Sequence, residues 1–355
     1  WMQHKGRDEG HFRSISDTIV TMTIPILAIA NPTGARHFME LTSSKMTMAY
    51  GKNEMQKIDL FLPNGENRGL VYFVHGGAWG SGLPWMYRLC AKPFLDSNIS
   101  VAIVGYRTYP DGNVQDQIDD LEAAAKFLSI HYPHISQRPS SVEEKDWTGV
   151  SIIGHSSGAH IALLMIVDRI SRWVESQSTK EEQSLARVNQ KTLHFDQFIG
   201  MSGVYNISHH FDYEAGRGVE EISPMKAACA HSRKSFDYYS PTLRLQSIFG
   251  SPKLSSLSNP VEQIIFDMVP RILLIHGADD STVPFTSTAE AGKIIRNCGV
   301  KCCKEYYLPK TGHPDVVMEL MLGGNSRDIV MDWLQNENVI RPGMQDGVQN
   351  IKSKL

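Results

Sequence analysis

The chain has 355 residues, of which 41% are hydrophobic and 21% are charged, and its formal net charge is -3. This composition excludes a disordered, collagenous or coiled-coil protein and predicts one large globular domain with an insertion. The near-neutral charge argues against nucleic-acid binding, because neutralising phosphates requires a basic surface. The five cysteines are too few for a disulfide framework and form no Cys-x-x-Cys pairs, so no metal site is expected.

Strands and helices are predicted to alternate along most of the chain. The segment Ile58–Pro63 alternates apolar and polar residues, which predicts an antiparallel edge strand. Four continuously apolar segments predict central strands covered on both faces, beginning at Leu70, Val101, Ser151 and Arg271. Apolar stripes at helical spacing predict helices over Val114–His131, from Ser156 through Val167, and over Thr286–Asn297. This alternation predicts a doubly wound α/β domain.

Two regions depart from this alternation, and the first, residues 171–191, is polar and charged, which predicts a solvated helix extension or loop. Residues 205–260 are rich in aromatic residues and turns but have no strand pattern, which predicts a cap inserted between two strands. Near the start, the apolar run 19–30 contains Pro25 and is shorter than the roughly 18 residues of a spanning helix, so it predicts an interfacial or covering helix. We therefore expect an N-terminal extension (1–50), a main domain (51–340) that carries the cap, and a C-terminal tail (341–355).

The strongest functional motif is Gly154-His155-Ser156-Ser157-Gly158, a G-x-S-x-G sequence between a predicted strand and a predicted helix. That context is typical of the sharp turn that exposes a nucleophilic serine. Ser156 is therefore the predicted nucleophile. The backbone N–H of Ser157, at the helix N-terminus, is a predicted donor to an oxyanion. Taken alone, the same pattern also fits a tight turn with an N-cap serine.

A second motif, His75-Gly76-Gly77-Ala78-Trp79, also directly follows a predicted strand. It has the form of the oxyanion loop that precedes the nucleophile turn in esterases and lipases. The two glycines allow the backbone amides of Gly76, Gly77 and Ala78 to point into the site. The order and spacing of the two motifs together favour a catalytic site over two unrelated turns.

A serine hydroxyl needs a base to take its proton and an acid to orient that base, and in this arrangement they follow in the order Ser, Asp, His. Asp280 lies in the loop after a predicted strand and is the predicted acid, with Asp279 as the alternative. His313 follows the last predicted strand, Glu305–Pro309, and is the predicted base. Structural roles are predicted for His75, His155 and His276.

These motifs resemble those of the α/β-hydrolase superfamily, in particular its HGGxW branch of carboxylesterases, over roughly residues 57–335. Within that branch the chain is most similar to the prenylcysteine (isoprenylcysteine) methylesterase-like proteins. Besides the two glycine motifs, the likeness is carried by Tyr106-Arg107 with Pro110, Ser202-Gly-Val-Tyr-Asn206, Ser240-Pro241, His276-Gly-Ala-Asp-Asp280 and Gly323-Gly324. The usual nucleophile turn of that family carries Gln at the position of His155.

The resemblance implies an α/β-hydrolase fold, with a mostly parallel central sheet, helices on both faces and an inserted cap. It implies Ser156 as nucleophile, Asp280 as acid and His313 as base, with backbone amides as oxyanion donors and no cofactor. The implied activity is that of a serine carboxylic ester hydrolase working through an acyl-enzyme on a small-alcohol ester of an apolar acid, such as a prenylcysteine methyl ester.

A prenyl arm would need an apolar groove under the cap. The predicted groove residues are Trp79, Trp85, Tyr87, Met225, Phe236 and Tyr239. Each of them fits ordinary packing between cap and core equally well.

Two further readings share the same motifs. An arylformamidase or a short-chain carboxylesterase would differ only in the pocket, and a catalytically silent hydrolase fold would act as a binding protein. The expected partner is a small-molecule ester. The resemblance also implies contact with a membrane surface through the N-terminus and an intracellular location at the endoplasmic reticulum or Golgi if a further N-terminal segment exists. It implies nothing about the oligomeric state.

Overall fold

A mostly parallel sheet of eight strands forms the centre of the described structure. The computed structural model describes residues 30–176, 192–251, 266, 268–300 and 302–335. The strands are β1 (Met46–Ala49), β2 (Lys57–Phe61), β3 (Leu70–Val74), β4 (Ser100–Val104), β5 (Val150–His155), β6 (Gln197–Met201), β7 (Arg271–Gly277) and β8 (Cys303–Leu308). Their order across the sheet is β1-β2-β4-β3-β5-β6-β7-β8. The two pairings of β2 are antiparallel and the others are parallel, which confirms the predicted fold class.

The prediction of an edge strand at Ile58–Pro63 is wrong in one respect. Strand β2 is antiparallel as predicted, but it lies between β1 and β4 rather than at the edge. Asp59 of β2 is only 5% exposed, and a buried carboxylate needs partners. Two such partners come from the β1 side, where the Thr47 hydroxyl donates at 2.6 Å and the Lys45 ammonium lies 3.2 Å away. Thus β1 joins the sheet although it falls within the predicted N-terminal extension.

Helices cover both faces of the sheet. They are α1 (Pro32–Ser44), α2 (Ala91–Asp96), α3 (Val114–His131), α4 (Ser157–Ser176), α5 (Ile207–Gly216), α6 (Pro224–Ala228), α7 (Arg233–Tyr238), α8 (Pro241–Phe249), α9 (Thr286–Asn297), α10 (His313–Leu322) and α11 (Asn325–Gln335). Short 3-10 turns occupy Pro84–Cys90, Pro133–Ile135 and Glu144–Asp146. Helices α3 and α9 run over the predicted residues. The Asn113 side chain and Asp116 form a capping box that starts α3.

Two hydrophobic clusters lie on opposite faces of the sheet, because alternate residues of a strand point to opposite sides. In β3, Tyr72 belongs to the cluster that contains residues of α3, α4, α8 and α9, whereas Phe73 belongs to the cluster that contains residues of α2, α10 and α11. Both side chains are fully buried. This double coverage explains why the central strands are apolar without interruption.

The segment predicted as a cap contains helices α5 to α8, which lie between β6 and β7 in the chain. Its last part, 252–260, lies outside the described residues, as do residues 19–29 of the apolar run and the tail 341–355. The predicted domain boundaries therefore stay predictions. No helix in the described ranges has the length and apolarity that crossing a membrane requires.

Candidate active site

The turn between β5 and α4 exposes Ser156. This residue has a positive φ of 55°, a strained conformation for a residue with a side chain, and its amide donates to the Met201 carbonyl at 2.9 Å. A side chain at Gly158 would place its Cβ 2.3 Å from the Val74 carbonyl oxygen. Glycine at that position therefore lets α4 pack closely against β3, and the sharp strand-to-helix turn predicted from the motif is present.

Three side chains predicted to act together lie in one hydrogen-bonded row. The Ser156 hydroxyl lies 2.9 Å from His313 Nε2, and His313 Nδ1 lies 2.7 Å from Asp280 Oδ2. They follow β5, β7 and β8, whose parallel carboxyl ends lie at the same edge of the sheet. All three are at least nine-tenths buried. The row has the geometry of a nucleophile, a base and an orienting acid.

The geometry also separates the two candidate acids. Asp280 is buried and its Oδ1 accepts the backbone amides of Thr282 and Val283, each at 2.9 Å. Asp279 is exposed, and its recorded contact is a backbone hydrogen bond from its amide to the Thr311 carbonyl at 3.1 Å. Asp280 is therefore the carboxylate that contacts His313.

Asp280 is held in its charged form. Burial by itself raises the pKa of this carboxyl, but hydrogen bonds from His276 and His313 oppose it, and the net result is a pKa well below the usual value. His276 Nε2 lies 3.2 Å from Asp280 Oδ2 and 2.9 Å from the Val283 carbonyl oxygen, while its Nδ1 lies 2.8 Å from the Thr288 hydroxyl. His276 and His313 thus contact the same oxygen of the acid, Asp280 Oδ2.

His155 bridges two parts of the site. Its Nε2 lies 3.3 Å from the His313 carbonyl oxygen and its Nδ1 lies 3.2 Å from the Tyr87 hydroxyl. The proton on Nε2 faces the carbonyl, so Nδ1 accepts from Tyr87. Burial, followed by repulsion from His313, lowers the pKa of His155 to about 3. His155 therefore stays neutral beside His313.

The loop after β3 faces the serine turn in a strained conformation. Gly77, Ala78 and Trp79 all have positive φ angles, of 138°, 51° and 61°. A Cβ at Gly77 would lie 2.3 Å from the Ser81 carbonyl oxygen, so this position requires glycine. Within the described part of the chain, the amides of Gly77 and Ala78 donate to no protein acceptor. Two free N–H groups beside Ser156 suit an oxyanion.

Gly76 and His75 support this loop. A Cβ at Gly76 would lie 2.8 Å from the His155 carbonyl oxygen and 3.1 Å from the Ser156 Cβ, so the two turns are in contact. The His75 ring stacks on Tyr106 at 4.3 Å between centroids, and the Tyr106 hydroxyl donates to the His75 carbonyl at 2.7 Å. His75 thus has the structural role that the sequence predicted.

The site opens into a cavity of about 60 Å³ lined by Ser156, His313 and residues of the cap segment. At roughly 10–15 Å³ for each water, this volume corresponds to a few water-sized groups beside the serine. Two of the six predicted groove residues, Trp79 and Tyr87, line it.

The other four predicted groove residues are absent from the described lining of this cavity. Trp85 is 37% exposed, whereas Met225 and Phe236 are buried in the core. Phe236 packs against Phe211, with 5.2 Å between ring centroids, and the Tyr239 carbonyl oxygen lies 2.7 Å from His160 Nε2. Aromatic composition alone does not distinguish a residue that lines a cavity from one that packs a cap, so their contact with a substrate stays a prediction.

Sequence reasoning missed several cavity residues. Val204, His210, Glu214, Ser223, Thr282 and Val283 also line the cavity. The first four lie in or next to the cap segment, and no motif in the sequence marks His210, Glu214 or Ser223. The pair His210 and Glu214, four residues apart on a helix, was the one available signal, because such residues share a helix face. In the described ranges, no group of three His, Cys, Asp or Glu side chains is arranged to hold a metal ion.

Comparison with known proteins places this chain in a family. Residues 58–293 match the family model of the BD-FAE family. The chain belongs to this family. A probable isoprenylcysteine alpha-carbonyl methylesterase of Arabidopsis thaliana is 24% identical over 290 residues, which cover 81% of this chain and 54% of the relative. Across five such plant relatives the chain spans between 54% and 64% of their length.

Two further likenesses bear on fold and function. Esterase B from Lactobacillus rhamnosis has a TM-score of 0.59 and 18% identity, with coverage of 90% of this chain and 95% of the esterase. That likeness supports the α/β-hydrolase fold. A kynurenine formamidase of Danio rerio is 27% identical over 135 residues, or 38% of this chain and 42% of the relative. The predicted resemblance to α/β-hydrolase carboxylesterases is confirmed.

Proposed function

We propose that the protein is a serine hydrolase of carboxylic esters. The observation that carries the proposal is the buried row in which Ser156 Oγ, His313 and Asp280 are joined at 2.9 and 2.7 Å. A serine hydroxyl becomes an effective nucleophile when a neutral imidazole accepts its proton and a carboxylate stabilises the imidazolium that forms. The relatives named as methylesterases support carboxylic esters as the substrate class.

In the proposed first half-reaction, Ser156 Oγ attacks the ester carbonyl and its proton passes to His313 Nε2. Asp280 keeps His313 in the tautomer with the proton on Nδ1, because its Oδ2 accepts that N–H. The amides of Gly77, Ala78 and Ser157 would donate to the tetrahedral oxyanion. His313 then returns the proton to the leaving alcohol, and an acyl-enzyme remains.

In the second half-reaction, water attacks the acyl-enzyme while His313 again accepts the proton. The carboxylic acid leaves and Ser156 recovers its proton. Because the donors are fixed before the charge develops, each of them contributes strongly. Removing one such donor typically lowers the rate on the order of 10²–10³-fold.

The finer proposal is an ester of a small alcohol, with a prenylcysteine methyl ester as the leading example. The names of the plant relatives, which match 81% of this chain in the first case, support it. Formamidase activity is the second candidate, because the similarity to the kynurenine formamidase covers only 38% of the chain.

The test is a substrate panel that contains p-nitrophenyl acetate, p-nitrophenyl octanoate, farnesylcysteine methyl ester and N-formylkynurenine. Wild type is compared with Ser156→Ala and with Ser43→Ala, which changes an exposed serine on α1. We expect Ser156→Ala to lower kcat/KM by more than about 10³-fold. We expect Ser43→Ala to match wild type.

A phosphonate ester provides a readout that does not depend on knowing the substrate. Such a reagent should add to Ser156, and mass spectrometry of the digested protein would locate the adduct. Turnover that persists in Ser156→Ala, or an adduct on another residue, would rule out the serine mechanism. Faster turnover of N-formylkynurenine than of every ester would instead indicate that the protein is a formamidase.

A further inference from the structure

The loop after β3, the proposed oxyanion loop, is fixed at Trp79, one residue beyond the proposed donor Ala78. The indole Nε1 of Trp79 donates to His160 Nδ1 at 2.9 Å, and the two rings meet edge to face with 5.3 Å between centroids. The Trp79 carbonyl oxygen accepts the amide of Tyr109 at 2.8 Å and the side-chain N–H of Gln117 at 2.9 Å. Both the side chain and the backbone of Trp79 are therefore held.

This anchoring matters because the loop has a backbone conformation that its residues do not favour. Ala78 and Trp79 have φ angles of 51° and 61°, in the left-handed region that residues with a side chain rarely adopt. Relaxation of either residue toward a negative φ would move the amide of Ala78 from its place beside Ser156. The hydrogen bond from Trp79 to His160 therefore opposes the loss of an oxyanion donor.

His160 joins the loop to two other parts of the site. It lies on α4, where its amide donates to the Ser156 carbonyl at 3.2 Å, and its ring Nε2 lies 2.7 Å from the Tyr239 carbonyl oxygen in the cap segment. The carbonyl is only an acceptor and the indole N–H only a donor, so the ring proton is on Nε2 and Nδ1 accepts. Burial lowers the pKa of His160 to about 4, so the ring keeps this donor and this acceptor at neutral pH.

The cap provides a fixed acceptor for this bridge. Tyr239 directly follows α7, and the hydroxyl of the next residue, the buried Ser240, accepts the amide of Ile207 at 2.8 Å. The Tyr239 carbonyl therefore lies where the end of α7 is joined to the start of α5. The cap also contacts the loop directly, since a Cβ at Gly80 would lie 2.8 Å from the Pro224 Cβ.

We propose that His160 is a positioning residue that couples the cap to the oxyanion loop. By bridging Trp79 and the Tyr239 carbonyl, it keeps the amide of Ala78 directed at the developing oxyanion. The proposal rests on the proposed ester hydrolysis and deepens it: the oxyanion donors are fully aligned only while the cap keeps its hydrogen bond with His160.

The direct test is His160→Leu, which removes both ring hydrogen bonds and leaves an apolar side chain. Hydrolysis of p-nitrophenyl acetate is measured, and kcat is expressed per active site titrated with the phosphonate ester. We expect kcat to fall on the order of 10–100-fold with less than about a threefold change in KM, because an oxyanion donor acts in the transition state. His160→Gln keeps an acceptor and a donor in one planar group and should recover most of the lost kcat.

A transition-state analogue distinguishes positioning from general damage. A trifluoromethyl ketone adds to the serine hydroxyl and forms a tetrahedral adduct whose oxyanion needs the same donors. Its inhibition constant should rise in His160→Leu by about the factor by which kcat/KM falls. An unchanged kcat per active site in His160→Leu, or an unchanged inhibition constant of the ketone, would overturn the proposal.

The control for lost stability is Ile170→Ala, at a fully buried position on the same helix. At about 1.5 Å per residue, it lies roughly 15 Å further along α4 than His160. Removing a buried side chain there destabilises the core, but kcat per active site should stay within about threefold of wild type. An equal fall of kcat in Ile170→Ala would assign the effect to a loosened core and overturn the proposal.

Hydrogen exchange tests the coupling without any substrate. Peptides that contain residues 75–81, and peptides of α7, should exchange on the order of tenfold faster in His160→Leu than in wild type, because the bridge holds both. Exchange as in wild type in either region would overturn the coupling. If His160→Leu does not fold, Trp79→Phe removes the same hydrogen bond from the loop side, and the same comparison applies.

The two proposals fail in different ways. If wild type turns over no ester and the phosphonate labels no serine, the proposed function fails, and hydrogen exchange still decides whether His160 couples the cap to the loop. If wild type turns over esters and His160→Leu matches it in kcat and in exchange, the coupling fails and the proposed function stands.

Discussion

Acid is expected to destabilise this protein through three buried histidines that surround the active site. Burial lowers the pKa of His75 and His160 to about 4 and, together with repulsion from His313, that of His155 to about 3. In the unfolded chain all three have a pKa near 6.5. The unfolded state therefore binds more protons than the folded state between about pH 6.5 and pH 4, and the free energy of unfolding falls as the pH falls through that range.

The size of the effect follows from these pKa values. Between pH 7 and pH 5 each buried histidine lowers the free energy of unfolding by about 2 kcal/mol, so the three together lower it by about 6 kcal/mol. That is comparable with the total stability of a typical domain, about 5–15 kcal/mol. Asp280 does not contribute in this range. Its lowered pKa gives stability that is lost only below the unfolded pKa of about 3.9.

The assay is urea unfolding at pH 7, 6 and 5, followed by tryptophan fluorescence. His160→Gln is the informative variant, because its amide oxygen can accept the Trp79 Nε1–H that His160 Nδ1 accepts at 2.9 Å. It should remove about one third of the loss between pH 7 and pH 5. The control His134→Gln changes an exposed histidine and should leave the pH dependence as in wild type. A free energy of unfolding that stays constant from pH 7 to pH 5, or a His160→Gln variant as acid-sensitive as wild type, would refute the reasoning.

Substitutions at the acid and at His155 probe how the proposed base is held. With p-nitrophenyl acetate as substrate, Asp280→Asn should lower kcat on the order of 10⁴-fold, because the amide favours the wrong tautomer of His313. The control Asp279→Asn should keep kcat within a few-fold of wild type. Similar losses of kcat in the two variants would contradict the assignment of the acid. His155→Ala removes the contact to the His313 carbonyl and should lower kcat about tenfold with little change in KM. His155→Gln keeps an N–H donor and should recover most of the lost kcat. Equal kcat values in the two variants would show that His155 does not position the base.

Local sequence determined the parts of this protein whose conformation depends on a few neighbouring residues. The helix at Val114–His131 follows from its apolar stripe and its cap, and the turn at Ser156 follows from the G-x-S-x-G pattern between strand and helix. The glycine loop after β3 is of the same kind, because glycine adopts the positive φ of Gly77 without the strain that a side chain would cause. Such features can be predicted without knowing which distant residues they contact.

Only the tertiary structure decided which distant groups meet. Ser156 and His313 are separated by 157 positions, and Asp280, rather than its neighbour Asp279, is the carboxylate buried against His313. Strand β1 pairs with β2, where Lys45 and Thr47 contact the buried Asp59, although its own sequence carries little strand signal. The position of Glu214 in the cavity lining escaped prediction because no sequence motif marks that residue. Periodicity and turn residues encode backbone conformation, whereas contacts across the sheet depend on strand order and on how each side chain is packed.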